Sequence, residues 1–558
     1  MRKNRTRLTG IVAGFAALGI AAAGCAADPA ETRDNDSTVF RFAAAGDPKS
    51  LDPSLASDGE TFRVTRQVFE TLLDHERGGS TIVGGLAETW STSEDGTQWS
   101  FTLREGVKFH NGEDLTAEVV CLNYDRWFNW SGNYQSAAMS AYWQDTFGGF
   151  AENESKDAPE PNYVGCSASD DLNLTIEVKN PSSRLPGGFT LASMAIHSPE
   201  SIKTYDEQAP EGDDAAALTY PEYSQTVGAA HGTGPYMYKE WDKANHTVTV
   251  ERFDDYWGEK AKIKTVVFKT IPKENDRKQE LLSGGIDGYD LVAPQDIAEL
   301  EKAGVQVPTR DPFNLLYLGF NQTMDGKDTP LADKKVREAI AHAINKDKII
   351  SQVYPAGTTP AKEFMPPTLS GWSDEVTEYE YNVDTAKEML ADAGAEDLTL
   401  DFCYPTDVTR PYMPSPESIF ENMKADLQEI GITVEDKPLT WAPDFLDTTA
   451  EGGCSLYILG WTGDYNEAYN FLGTWFAAND PAWGFNDKDI RDKLAEADAE
   501  PDPEARLPLY IEANNLIMDF IPGVPIAHSS PSIAFAEHIN PPTTSPLTQE
   551  DFAEASFK

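Results

Sequence analysis

The sequence predicts an α/β protein of at least two lobes. The first reason is the stretch 397–471, where strand and helix signals alternate. Residues 398–404 (LTLDFCY) alternate apolar and polar side chains and then break at Pro405, so a strand runs into a loop that carries Arg410. From 418 to 430, Ile419, Phe420, Met423, Leu427 and Ile430 recur at helical spacing and the pattern stops at Gly431, which places a helix before a second strand at 432–434. A short helix over 443–450 then leads to a third, apolar strand at 455–460, and the unit is βαβαβ. The second reason is size: 558 residues exceed the roughly 250–300 at which a single hydrophobic core stops growing.

Right-handed crossovers in the order 2-1-3 put the first and third strands side by side, so that the loops at their carboxyl ends open into one crevice. Arg410 lies in one of these loops and Asp464 in the other. A guanidinium fork matches a carboxylate, and a carboxylate accepts from an ammonium group, so the pair is complementary to a zwitterion with separated ends. At ~3.3–3.6 Å per extended residue, a ligand of two to four residues joins the two groups if they stand about 7 to 14 Å apart. The alternative is that the two side chains are solvated or pair with each other.

Residues 1–24 combine a basic start (Arg2, Lys3, Arg5, Arg7) with an apolar run from 11 to 23 that is too short for a membrane span, the pattern of an export signal. Residues 26–37, small and acidic, predict a flexible tether. The chain has 45 basic against 92 acidic residues, a formal charge of −47 spread along its length, which makes nucleic acid and anionic lipid headgroups poor partners for the folded body. Attraction of cationic ligands is an alternative use of that charge.

Beyond Cys25 stand four cysteines, an even number in an exported chain. Cys403 falls late in the first strand of the βαβαβ unit and Cys454 at the start of the third. In a parallel register they stand roughly 13 Å apart, too far for a disulfide. The expectation is therefore a Cys121–Cys166 disulfide, with Cys403 and Cys454 as buried free thiols. No cysteine or histidine spacing suggests zinc, and no metal or cofactor is expected. With neither a Gly-x-Ser-x-Gly elbow nor a His-Glu-x-x-His pair, an exported hydrolase is disfavoured, while a surface adhesin stays open.

Along the rest of the chain, 38–45 reads as a strand and 62–73 as a helix. Asp95-Gly96 makes a tight turn before a strand on which Trp99, Phe101 and Leu103 share a face. The segment 127–170 reads as an irregular surface insertion, with reach into the crevice as the alternative. A strand at 172–178 follows, then an acidic connection over 205–225. Residues 313–320 read as a strand crossing into the second lobe, 333–345 and 384–394 as capped helices, and 521–528 as the crossing back.

Several runs carry a family resemblance: GLAETWS (85–91), DGTQWSFTLR (95–104), VKFHNG (107–112), LTAE (115–118), HGTGPY (231–236), DDYWG (254–258), TRPY (409–412) and GWTGD (460–464). Together they resemble the bacterial extracellular solute-binding proteins, family 5, which serve peptide and nickel ABC importers, and within them the dipeptide-binding subgroup. Residues 22–25 (AAGC) resemble a lipobox whose Cys25 is acylated. The resemblance implies a two-lobed, periplasmic-binding-protein-like α/β fold of type II, with an extra subdomain in the first lobe and a ligand cleft between lobes. It divides the chain into a lipoprotein signal (1–24), an acylated cysteine and tether (25–37), a first lobe (38–72, 225–311 and 523–558), its extra subdomain (73–224) and a second lobe (312–522).

By the same resemblance, Arg410 holds a peptide carboxylate and Asp464 the amino group. Tyr412, Trp461 and the main chain around Gly59 line the ligand, and His110 is structural rather than catalytic. The implied protein is a monomeric, lipid-anchored, extracytoplasmic binding protein that hands short peptides to ABC permease subunits and touches the membrane only through its anchor. Longer oligopeptides, haem or nickel chelates are the alternative ligands. Residues 465–470 (YNEAYN) depart from the Gly- and Asp-rich run usual in the subgroup, which leaves peptide length and side-chain preference open.

Overall fold

A computed structural model describes residues 39–558 except 157, 206–207 and 213–217, so the export signal, Cys25 and the tether to 37 lie outside the described residues. Two six-stranded mixed sheets form the frame. In the first, Val39–Ala44 runs parallel to both Thr265–Thr270 and Gly288–Asp290, and the antiparallel strands Thr247–Arg252, Tyr236–Asp242 and Ile533–Phe535 extend it. In the second, Asn314–Phe320 sits between the antiparallel strands Gly523–His528 and Leu456–Thr462. All seven residues of Asn314–Phe320 are buried, as a strand covered on both faces requires. Its alternate residues feed two clusters: Leu316, Leu318 and Phe320 join Phe402 and Ile458, while Leu315 and Tyr317 join Tyr457 and Trp475.

The βαβαβ unit forms in the expected order. Thr399–Pro405 lies between Thr433–Leu439 and Leu456–Thr462 and is parallel to both, with Pro416–Glu429 as the crossover helix. The hairpin around Asp95-Gly96 also forms: Ala87–Thr92 pairs with Gln98–Leu103, and Trp99, Phe101 and Leu103 are buried together. That hairpin belongs to a separate four-stranded antiparallel sheet completed by Asn173–Val178 and Tyr163–Ala168.

Four expectations need correction. The helix expected over 62–73 is only Gly59–Thr65, because the carbonyls of Gln67, Val68 and Glu70 accept instead from Tyr236, Gly234 and Ile196 of distant segments. The segment 127–170 is ordered rather than irregular: it holds the helix Ala137–Phe147, whose Met139, Trp143 and Phe147 enter the first lobe's core, and the strand Tyr163–Ala168. The return crossing does not begin at 523. Gly523–His528 is a full strand of the second sheet, and the chain leaves that sheet at Ser529–Ser532.

The fourth correction concerns the thiols. Cys121 and Cys166 are joined, and so are Cys403 and Cys454, whose Cα atoms are 5.9 Å apart. Extrapolating the strand register backwards fails because the third strand starts only at Leu456. The preceding chain is folded by Gly452 at φ 74° and by the Gly453 N–H bond to the Thr448 carbonyl, which swings Cys454 back over Cys403.

Two chain segments connect the sheets, 309–314 and 528–532, and they are bonded side by side. The Asn314 side chain donates to the Ser529 carbonyl and accepts from the Ser529 N–H, both at 2.9 Å. The two crossings are therefore tied to each other, as two strands of one hinge would be.

Candidate functional site

Asp464 follows the strand Leu456–Thr462 by two residues and is fixed from the main chain outward. Gly463 allows the close approach: a Cβ there would lie 2.3 Å from the Phe313 ring. The Asp464 N–H donates to Asn470 Oδ1 at 2.8 Å, and Trp461 Nε1 donates to the same oxygen at 3.3 Å. Asp464 Oδ1 accepts from the Tyr142 hydroxyl at 3.1 Å, across to the first lobe. Its Oδ2 is enclosed and accepts no hydrogen bond. Burial pushes the carboxyl up to about 6, against the lowering influence of Arg66, Tyr142 and Asn470. Arg66 caps the C-terminus of Gly59–Thr65 and lies over the Phe62 ring, and its charge acts on the Asp464 carboxyl. An enclosed carboxylate oxygen without a donor is costly unless something with N–H groups arrives to fill it.

Arg410 follows Thr399–Pro405 by five residues, in a loop closed by reciprocal main-chain bonds between Arg410 and Met413 at 3.1 and 2.9 Å. Its guanidinium stacks on Trp441, 4.5 Å from the ring centre. Arg410 lines a cavity of about 40 Å³ whose walls include Glu274 and 291–294 of the first lobe and Ser529, Pro531 and Ser532 of the second crossing. Arg410 and Asp464 thus follow adjacent parallel strands, as expected, and each lies against the first lobe, with different partners.

The other predicted residues divide. Trp461 is half-buried and steadies Asn470, hence Asp464. Tyr412 is buried against Gly460, where a Cβ would lie 2.6 Å from its ring, and its carbonyl accepts from the Tyr354 hydroxyl, so it supports the sheet behind Arg410. Gly59 opens its helix in free space, with Asp58 capping Thr61 N at 2.9 Å. His110 Nε2–H donates to the Gly234 carbonyl at 2.9 Å and the ring packs on Phe253, and burial lowers it to about 4.

Sequence reasoning missed Tyr142 and Arg66. The helical spacing of Met139, Trp143 and Phe147 was a signal for the helix that carries Tyr142; nothing local marks Arg66.

The unusual run 465–470 spans the lobes. Tyr465 is buried in the first lobe's core against Gly187, and Arg184 of the first lobe stacks on Tyr469 at 4.6 Å. Beside it, Asp498 of the helix Lys488–Ala499 accepts from Ser182 Oγ (2.8 Å), Ser183 Oγ (3.0 Å) and Arg184 Nη2 (3.1 Å). This clasp exists only while the lobes are together. Asp498→Ala is expected to weaken ligand affinity about tenfold, ~1.4 kcal/mol, by favouring the open state, with the loss read by titration calorimetry.

Two crossings between the sheets, and hydrogen bonds that join the lobes at Asp464 and Asp498, are the architecture of a two-lobed binding protein. The chain belongs to a family of this class, described as "Bacterial extracellular solute-binding proteins, family 5 Middle", whose profile matches residues 81–483. It is 27% identical over 543 residues to the dipeptide-binding protein of Escherichia coli (strain K12), covering 93% of this chain and 94% of that one. It is 26% identical over 516 residues to heme-binding protein A of Haemophilus influenzae, covering 89% and 88%. Among solved structures it is similar to the dipeptide binding protein from Pseudoalteromonas sp. SM9913 in complex with Met-Leu, with a TM-score of 0.77, 23% identity and coverage of 93% and 100%.

Proposed function

We propose that this chain captures short peptides, of two to four residues, by their free termini outside the cell and delivers them to the permease of an ABC importer. One observation carries the reading: the enclosed Asp464 oxygen that lacks a donor at the boundary between lobes. A peptide ammonium group supplies the missing N–H groups and the compensating charge, while Arg410 takes the carboxylate. The dipeptide-binding relatives support this ligand class, and a haem or metal chelate without an ammonium group would leave that oxygen bare. The export signal at 1–24 and acylation at Cys25 belong to the same proposal, and hold the protein at the outer face of the membrane through lipid alone.

Closure buries the ligand, and it is driven by the contacts the ligand gains only in the closed state. The Trp461–Asn470–Asp464 relay and the Tyr142 bond hold the anchor ready, which lowers the ordering cost of binding.

The test is native mass spectrometry of the purified protein for retained ligands, followed by calorimetry against pH. Ammonium binding needs ionised Asp464, whose carboxyl stands at about 6 without ligand, so affinity is expected to fall as pH drops below about 6. Stability of the ligand-free protein moves the opposite way. A carboxyl raised from 3.8 to about 6 contributes stability below 3.8 that is lost as pH rises through 6. An affinity constant from pH 8 to pH 5, or equal binding of an N-acetylated dipeptide, would remove Asp464 from the site.

A further inference from the structure

The small cavity at Arg410 contains two groups that the charge-pair argument does not use. Ser529 and Ser532, 1% and 2% exposed, both line it. Their main chains are tied: Ser529 N and O bond the Asn314 side chain, and the Ser532 carbonyl accepts from Val292 N at 3.1 Å. Their hydroxyls are enclosed and have no partner at all. A buried hydroxyl without a hydrogen bond is a cost that native structures rarely carry without a reason. Here two of them belong to residues that line one cavity with Arg410.

We propose that Ser529 and Ser532 donate to the carboxylate of the bound peptide, beside Arg410, and so make the hinge itself part of the ligand site. This rests on the peptide reading and extends it to the residues that recognise the carboxylate end. The volume agrees, because a cavity of about 40 Å³ holds a carboxylate or about three to four waters at ~10–15 Å³ each, not the body of a peptide. The chemistry agrees as well, since an anion with two oxygens can accept two hydroxyls and a guanidinium fork at once. The cavity's one acid, Glu274, has Oε1 committed to the Tyr289 hydroxyl (2.9 Å) and Ala293 N (3.3 Å), and burial raises its carboxyl above the ordinary value. The serines lie on the crossing segment, so a carboxylate held by them and by Arg410 bridges hinge and second lobe, and binding at this end favours the closed angle directly.

The experiment compares Ala-Ala with Ala-Ala amide by calorimetry in wild type, Ser529→Ala, Ser532→Ala and the double variant, with thermal unfolding of each ligand-free protein. Each single change is expected to weaken the free acid about tenfold, the worth of one charge-assisted hydrogen bond, and to leave the amide within about twofold. Ligand-free melting temperatures are expected to hold or rise, because each substitution deletes a polar group that has no partner. Equal losses for acid and amide, or a lowered ligand-free melting temperature, would show that the serines only shape the hinge and would overturn the proposal. Unchanged affinity for the free acid overturns this assignment while leaving the peptide reading standing. A wild type that binds neither ligand overturns both.

Discussion

Asp464→Ala is expected to weaken peptide binding by about 2 to 5 kcal/mol, because closure would then bury an ammonium group with no carboxylate to receive it. The size of the loss comes from what is left behind. The Tyr142 hydroxyl also loses its acceptor, and Arg66 loses the compensating charge of Asp464. A substitution that merely loosened the fold would weaken binding and lower stability together. Here the two should separate. At pH 8 the wild-type carboxylate is ionised in a place where burial penalises it, so the ligand-free variant should be no less stable than wild type. Calorimetry with a dipeptide and with its N-acetyl derivative, alongside urea unfolding, checks both halves. A loss of only a few tenths of a kcal/mol, or an equal loss for both ligands, would show that the ammonium group binds elsewhere.

What the sequence made legible was local. The periodicity of 398–460 predicted the three strands, their crossover helix and the order that sets the Arg410 and Asp464 loops side by side, since a βαβ crossover leaves few topologies to choose from. Alternation likewise predicted the Trp99, Phe101 and Leu103 face. Failures came where a partner is distant. Tyr142 meets Asp464 across a separation of 322 residues, and Ser529 and Ser532 look like any loop serines until the cavity shows their hydroxyls without partners. The run 521–528 was equally apolar as a crossing or as a strand, and only the Leu316–Ala527 and Leu318–Val524 pairings decide. Cys403 and Cys454 were separated on paper because a strand was extended backwards through two glycines that bend it.

The run that departs from the family pattern, 465–470, acquires a role from the same kind of contact. Tyr465 enters the first lobe's core, Tyr469 carries Arg184, and Asn470 fixes Asp464, so this run couples Asp464 to the contact between lobes. Substitutions within 465–470 are therefore expected to change affinity and the closing equilibrium together, as titration calorimetry would show.

The largest effect on stability is expected at Arg310, beside the first crossing. Its guanidinium is fully enclosed, grips both oxygens of Glu550 at 2.6 and 2.9 Å, and donates to Asp290 Oδ1 at 2.6 Å. Asp290 also takes Arg63 from the helix that carries Arg66, and Arg63 pairs with Glu60. One cluster of charges thus ties the helix 59–65, the strand Gly288–Asp290, the crossing and the C-terminal segment together. Arg310→Met keeps the bulk but leaves Glu550 a buried carboxylate without its counter-ion, a change that typically costs about 3 to 5 kcal/mol. The two neighbouring arginines hold Asp290 well below the ordinary carboxylate range despite its burial, so its contribution is present above that range and fades as pH falls through the depressed value. Acid unfolding of the variant should therefore begin at higher pH than in wild type. If Arg310→Met unfolds within about 1 kcal/mol of wild type at pH 7, the cluster is replaceable by apolar packing, as some buried ion pairs are. The double variant Arg310→Met with Glu550→Gln separates the cases: recovery of most of the lost stability shows that the orphaned carboxylate, not the missing guanidinium, was the cost.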